Sequence, residues 1–361
     1  VITVFIKYIN RMRRQARQLW IGKITTKVSH LYSLPAEQVE ITLNSPPQLA
    51  GGESKGGACY SCHIALNVII STLLFFFAPN SHAQSIEFDA DNAFSYLEKQ
   101  CSFGTREPGS EGAQKCLLWF EETLKEFGAE VYLQRFKAVE ALTGKERKLT
   151  NVIAHFPGES ESTLMLCAHW DTRAHANLDP DPENRKKPIM GANDGASGVA
   201  VLLEIARIAS IYPPSQGLLI ALFDGEDMGR ASYAEEFALG SKFWASHQIP
   251  VEVDEAILLD MIGDDDLEIP IEGFSEQKAP YLRRRLWDIA RRLDLPAFSD
   301  KYGGGISDDH VRLQRVGIPA VDLIDFDYPY WHTLEDTPDK CSAESLNQVG
   351  KVLVGYIYGI E

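Results

Sequence analysis

The 361-residue chain is 45% hydrophobic and 24% charged, the balance of a folded protein with a full core rather than of a disordered one. Its formal net charge of −16 repels phosphate backbones and argues against a nucleic-acid partner. The charge is uneven, because Lys7, Arg11, Arg13, Arg14, Arg17, Lys23 and Lys27 make the beginning of the chain basic and leave the remainder more acidic.

Residues 1–63 show no apolar period and include a Pro/Gly-rich stretch, SPPQLAGGESKGG. They are expected to be a disordered leader, or upstream sequence included by a misplaced start. Cys59 and Cys62 form a CxxC there, which alone is a weak signal for metal or redox chemistry. Ile64 to Ala78 is a continuous apolar run, IALNVIISTLLFFFA, followed by Ser81-x-Ala83. The run is shorter than the roughly 20 residues of a spanning helix. The pattern predicts a signal peptide over 64–83, with a buried helix or a short anchor as alternatives. The expectation is a secreted or periplasmic, monomeric mature protein without stable membrane insertion. Cleavage after Ala83 would leave Gln84 as the first residue.

Residues 84–361 read as a single catalytic domain. Asp91 to Gln100 and Lys115 to Phe127 have helical apolar spacing, and Gly128 suits a C-cap. Cys101 and Cys116 flank a Gly/Pro-rich loop. They could pair in an oxidising compartment, stabilising by about 3 kcal/mol, or remain free thiols. Six strand-like runs follow at 131–136, 151–156, 164–169, 218–224, 256–260 and 320–324, and Cys167 within the third reads as core. Helical stretches at 199–209, 240–246 and 280–293 lie between several of them. Alternating strands and helices predict an α/β three-layer sandwich around a twisted, mixed, mostly parallel sheet.

Sites in such sheets lie beyond the C-terminal strand ends. Here those ends lead to His169-Trp170-Asp171, to Gly225-Glu226-Asp227 and to Asp260, and Asp322 is counted as a fourth contribution to the same rim. His169, Asp194, Asp227, Asp260 and His332 make a nitrogen and oxygen donor set without thiolate, suited to a catalytic Zn²⁺ with an open position. Alone, Asp194 would read as a helix N-cap and His332 as a structural histidine. In the Glu226-Asp227 pair, one carboxylate can hold a metal while the other stays free as a general base.

HWD at 169–171, GANDGASG at 191–198, FDGED at 223–227, LLDMIG at 258–263 and YWHT at 330–333 resemble the M28 zinc aminopeptidase clan, in order, over about residues 90–361. Within the clan the chain looks most like glutaminyl cyclases. It is similar to them in the insert before Leu239-Gly240-Ser241-Lys242, in Ser307-Asp308-Asp309-His310 and in Trp331 preceding His332. The resemblance implies one zinc held by Asp194, Asp227 and His332, with Glu226 as general acid/base. It also implies a proton shared between Asp260 and Asp308, and a pocket walled by Trp331 and possibly Trp170. The reaction would convert N-terminal glutamine of peptides or proteins to pyroglutamate with release of ammonia. Animal cyclases carry Glu at the place of Asp227 and a histidine at that of Asp322. The alternative is a two-zinc aminopeptidase, with His169 and Asp260 as further ligands. A noncatalytic ectodomain is the third reading, and retention of Glu226 and every ligand candidate argues against it.

Overall fold

The computed structural model describes residues 86–359. The expected leader, Cys59 and Cys62, the signal peptide at 64–83 and Gln84 lie outside the described residues.

Runs too apolar for one wet face become the middle of the sheet. Strands β3 (Thr163–His169) and β4 (Gly217–Phe223) are buried at every residue. They are flanked by β5 (Glu255–Asp260) and β8 (Ala320–Ile324) on one side and by β2 (Glu146–Phe156) and β1 (Glu130–Val139) on the other. The order is β1-β2-β4-β3-β5-β8. Strands β4, β3, β5 and β8 run parallel, whereas β2 pairs antiparallel with both β4 and β1. The sheet is therefore mixed, as expected from sequence.

Period-two alternation sorts the strand side chains into two cores. Val152, Leu166, Ile220, Ile257 and Leu323 point to one face, which holds the larger core. There α1 (Ala90–Ser102), α2 (Glu111–Glu126), α3 (Ala196–Ile211), α6 (Pro280–Arg292) and α8 (Ala343–Tyr358) contribute the opposing apolar residues. Ile153, Met165, Cys167, Leu219 and Leu258 point the other way, onto Trp244 of α4 (Leu239–Ser246) and Leu313 of α7 (Asp309–Arg315). Three layers result, and α3 is buried along nearly its whole length between the sheet and other helices.

Five elements fall outside the sequence expectations, the short helix α7 among them. The short strands β6 (Ile269–Glu272) and β7 (Phe298–Gly304) form a separate parallel pair, and α5 (Gly273–Lys278) follows β6 directly. Strand β7 reads FSDKYGG and is largely exposed, so it carries no apolar alternation. Helix α8 did leave a signal. Ser342 caps it by accepting from the Ser345 N–H, and Leu346, Val349 and Leu353 recur on its buried face. Cys101 and Cys116 are free buried thiols, pushed up by burial to about 11 and about 12.

Close packing of α3 on the sheet depends on Gly198. A β-carbon there would lie 2.4 Å from the Leu259 carbonyl oxygen and 3.0 Å from the Ala168 side chain. Alanine gains up to about 1 kcal/mol of helix propensity, but overpacking costs about 1–3 kcal/mol, and a backbone carbonyl yields little. Gly198→Ala is expected to lower the melting temperature by about 2–6 °C. A calorimetric scan in which it melts at or above wild type would reject this account of the interface.

Candidate metal centre and active site

Because β3, β4, β5 and β8 are parallel, their C-terminal ends share one edge. Each delivers a polar segment there. The Gly191–Gly195 loop brings Asp194 to that edge immediately before α3, and the Asp194–Gly195 peptide is cis. Gly195 is required by proximity, since a β-carbon would sit 2.4 Å from His169 Nε2.

Buried carboxylates hold the two acidic turns by their amides. Asp336 accepts from the backbone N–H of Asn193 at 2.8 Å and of Asp194 at 3.2 Å, and from the Tyr328 hydroxyl at 2.9 Å. Asp171 accepts from the Glu226 and Asp227 N–H groups at 3.0 and 3.3 Å. The wholly buried Arg106 donates to the carbonyls of Trp170, Met190 and Gly191, tying the β3 end to the Asp194 loop. None of Asp171, Asp336, Arg106 and Arg173 was given a role from sequence, although HWDTR and YWHTLED place three of them within four residues of a recognised motif residue.

Asp194, Asp227 and His332 come together with ligand atoms all within 4.8 Å of one another. His332 Nε2 lies 3.2 Å from Asp227 Oδ1 and 3.6 Å from Asp194 Oδ2. His332 sits at φ +56°, a conformation uncommon for a non-glycine residue. Burial works to raise Asp227, but the charges of His332 and Arg173 prevail and hold it down to about 2. Both Asp194 Oδ2 and Asp227 Oδ2 are buried without a hydrogen-bond partner. Such orphaned acceptors cost about 1–3 kcal/mol each, and more when charged. A dication removes that cost, and two carboxylates with one imidazole suit Zn²⁺. The residues present fit the ion.

A second group shares Asp194. His169 Nε2 lies 3.0 Å from Asp194 Oδ1 and 3.3 Å from Asp260 Oδ1, while Nδ1 is 3.6 Å from Asp171 Oδ1. Burial opposes protonation of His169, but the neighbouring carboxylates of Asp171, Asp194 and Asp260 outweigh it and raise the imidazole well above its ordinary value.

A cavity of about 440 Å³ opens over these groups. Glu226, Asp260 and Asp308 line it together with the Asp194–Asp227–His332 triad. Burial, followed by the charge of Asp308, pushes Glu226 well above the usual carboxylate range. Burial and the charge of Asp260 push Asp308 up to about 7. Trp331 lines the cavity, with its ring centroid 4.0 Å from His332 and 4.8 Å from Phe326. Tyr233, Phe237 and Ile306 extend the apolar wall.

Two expectations are corrected. Trp170 does not wall the cavity. It is 2% exposed, packs edge-on against Phe120 at 5.9 Å, and donates from Nε1 to the Thr150 carbonyl, because its side chain points into the helical core. Asp322 is not on the rim. It lies two residues before the end of β8 and faces His310, whose Nδ1 is 3.4 Å away and whose Nε2 is 3.2 Å from Glu272. Asp308, His310 and Asp322 form a third compact donor group.

Residues 151–357 match a sequence model of peptidase family M28. The chain belongs to that family. The glutaminyl-peptide cyclotransferase of Bos taurus is 24% identical over 288 residues, covering 70% of this chain and 77% of its own. Among solved structures, the Bacteroides thetaiotaomicron glutaminyl cyclase bound to N-acetylhistamine is 35% identical, with TM-score 0.73, covering 76% of this chain and 99% of its own. A Zn-dependent exopeptidase from Parabacteroides distasonis is 34% identical, also with TM-score 0.73, covering 76% and 99%. A solved glutaminyl cyclase and a solved Zn-dependent exopeptidase therefore share this fold, and the relatives point to zinc.

Zinc added to chelator-treated protein is expected to stabilise it. At a free concentration 100 times Kd the gain is about 2.7 kcal/mol. A thermal scan with no upward shift on adding zinc would count against the centre.

Proposed function

We propose that this M28 enzyme is a zinc-dependent glutaminyl-peptide cyclotransferase. The observation that carries the reading is that Asp308 shares one cavity wall with Glu226 and Asp260, beside the Asp194–Asp227–His332 group. Its likeness over three-quarters of its length to a solved bacterial cyclase supports it. The proposed substrates are peptide or protein N-termini beginning with glutamine. Residues 84–361 would be the catalytic domain. A secreted or periplasmic location rests on the apolar run at 64–78, and no helix among the described residues is long and apolar enough to cross a membrane.

Zinc held by Asp194, Asp227 and His332 would supply Lewis acidity, polarising the carbonyl of the glutamine side chain. Glu226 accepts a proton from the peptide α-amine as its nitrogen bonds to the side-chain carbonyl carbon. That carbon then loses its amide nitrogen, and Glu226 returns the proton so that ammonia leaves. A Glu226 lifted by burial and by Asp308 is a better base than an ordinary carboxylate. Asp260 and Asp308 cannot both ionise comfortably at close range. A proton shared between them lets one donate and the other accept, which orients the amine and the departing nitrogen. Trp331 and Phe326 exclude water that would otherwise hydrolyse the amide. Ring closure needs no second reactant, and effective molarities on the order of 10⁵ M or more follow from orientation alone.

A two-zinc aminopeptidase is the second reading, favoured by the His169–Asp194–Asp260 group sharing Asp194. Ammonia release from a Gln-initiated peptide, leucine release from a Leu-initiated one, and zinc per chain separate the two. Glu226→Gln is expected to retain zinc and fold while turnover drops about 10²–10⁴-fold. Near-wild-type activity in that variant would remove Glu226 from the chemistry. Asp308→Ala is expected to damage cyclisation severely, and a variant that still releases ammonia at the wild-type rate would remove Asp308 from the chemistry.

A further inference from the structure

Arg173 is a guanidinium enclosed in protein, 2% exposed, and all three of its nitrogens are committed. Nη1 donates to Asp227 Oδ1 at 2.7 Å and to the Asp227 carbonyl at 3.1 Å. Nη2 donates to the Gly229 carbonyl at 3.1 Å, and Nε to the side-chain oxygen of Asn177. The flat group also lies 5.7 Å from the Phe237 ring, so Phe237 contacts both this cation and the cavity. Placing a cation this deep is costly unless its hydrogen bonds are met. Here three of them converge on one short segment, 227–229.

We propose that Arg173 is a positioning residue for the metal ligand Asp227, fixing both its backbone and the orientation of its carboxylate so that the side chain meets the ion without reorganising. An aspartate carboxylate can swing about its last torsion and present either oxygen or both. With Oδ1 engaged by Arg173, one orientation is selected, and Oδ2 is the oxygen left without a protein partner. The main-chain bonds do the same for the turn, which Asp171 anchors at its other end through the Glu226 and Asp227 amides. A planar fork suits this task. A lysine ammonium is a point charge and cannot span the carboxylate and the Gly229 carbonyl in the same geometry.

The inference rests on the zinc-holding part of the proposed function and not on which reaction follows. It is tested by zinc affinity in competition with a chelator, on zinc-free wild type, Arg173→Met and Arg173→Lys, at a temperature where all three are folded. Arg173→Met is expected to bind zinc about 10- to 100-fold more weakly. Arg173→Lys should fall between it and wild type. Wild-type affinity in both variants overturns the proposal, as does tighter binding by Arg173→Met, which would make the arginine a simple electrostatic opponent of the ion. A role confined to the scaffold would lower the melting temperature of the zinc-free form and leave zinc affinity unchanged, and that result also overturns it. If Arg173→Met does not fold, Arg173→Lys decides alone, with wild-type affinity the negative outcome. Wild type that fails to bind zinc sinks the metal reading instead.

Discussion

Glu226, Asp194, Asp227, Asp260 and Asp308 are each at most 8% exposed and line one cavity. Their mutual repulsion, together with the loss of water, is the constraint around which the rest of the site is arranged. Buried carboxylates persist only where hydrogen bonds, countercharges or protonation make up for lost hydration. Each device occurs here in a different place. Asp227 has Arg173 and His332 and is held ionised. Asp308 has Asp260 for a neighbour and is raised to about 7. Two oxygens, on Asp194 and Asp227, have no hydrogen-bond partner, and a cation there would offset their charge.

The fold supplies the positions at modest cost. Four parallel strands bring their C-terminal ends to one edge, so residues more than a hundred apart in sequence meet there. The loops are then held by groups that never face the cavity. Asp171 and Asp336 accept from backbone amides rather than from substrate, and Arg106 donates only to carbonyls. Motion at the site is restricted from behind, as pre-organised chemistry requires.

The sheet was legible because its strands carry apolar runs and its helices keep a helical period. All six main strands and the α1, α2, α3, α4 and α6 helices lie where that pattern puts them. The small β6–β7 pair was not, since one strand contains Pro270 and the other is polar and exposed. At the site, Glu226 and the expected metal ligands sit in motifs and converge. Trp170 was misplaced because a residue between two functional neighbours on an extended segment points the opposite way, into the core. Asp322 failed for a related reason, since a strand residue's side is set by register and not by the presence of a charge. Arg173 and Asp336 act through other residues, and nothing in a single sequence marks which buried charge touches a ligand rather than solvent.

The layer beneath Asp308 completes the electrostatic logic. Ser241 donates to Asp309, and His310 lies between Glu272 and Asp322 with none of these groups more than 2% exposed. The charge of His310 holds Glu272 down to about 2, although burial works the other way, while Asp322 is raised well above its usual range by burial and then by Asp308. One of the two acids flanking His310 is thus set to be charged and the other to carry a proton. A fixed polar stack of this kind sets a countercharge behind Asp308 without exposing it to bulk water. If the stack were replaced by apolar side chains, Asp308 would lose the countercharge that limits its rise. Its protonated, donating form would then be favoured further. In the proposed cyclisation the departing nitrogen and the attacking amine would make opposite demands on that carboxyl, so the buried histidine beneath it belongs to the same physical problem as the acids above.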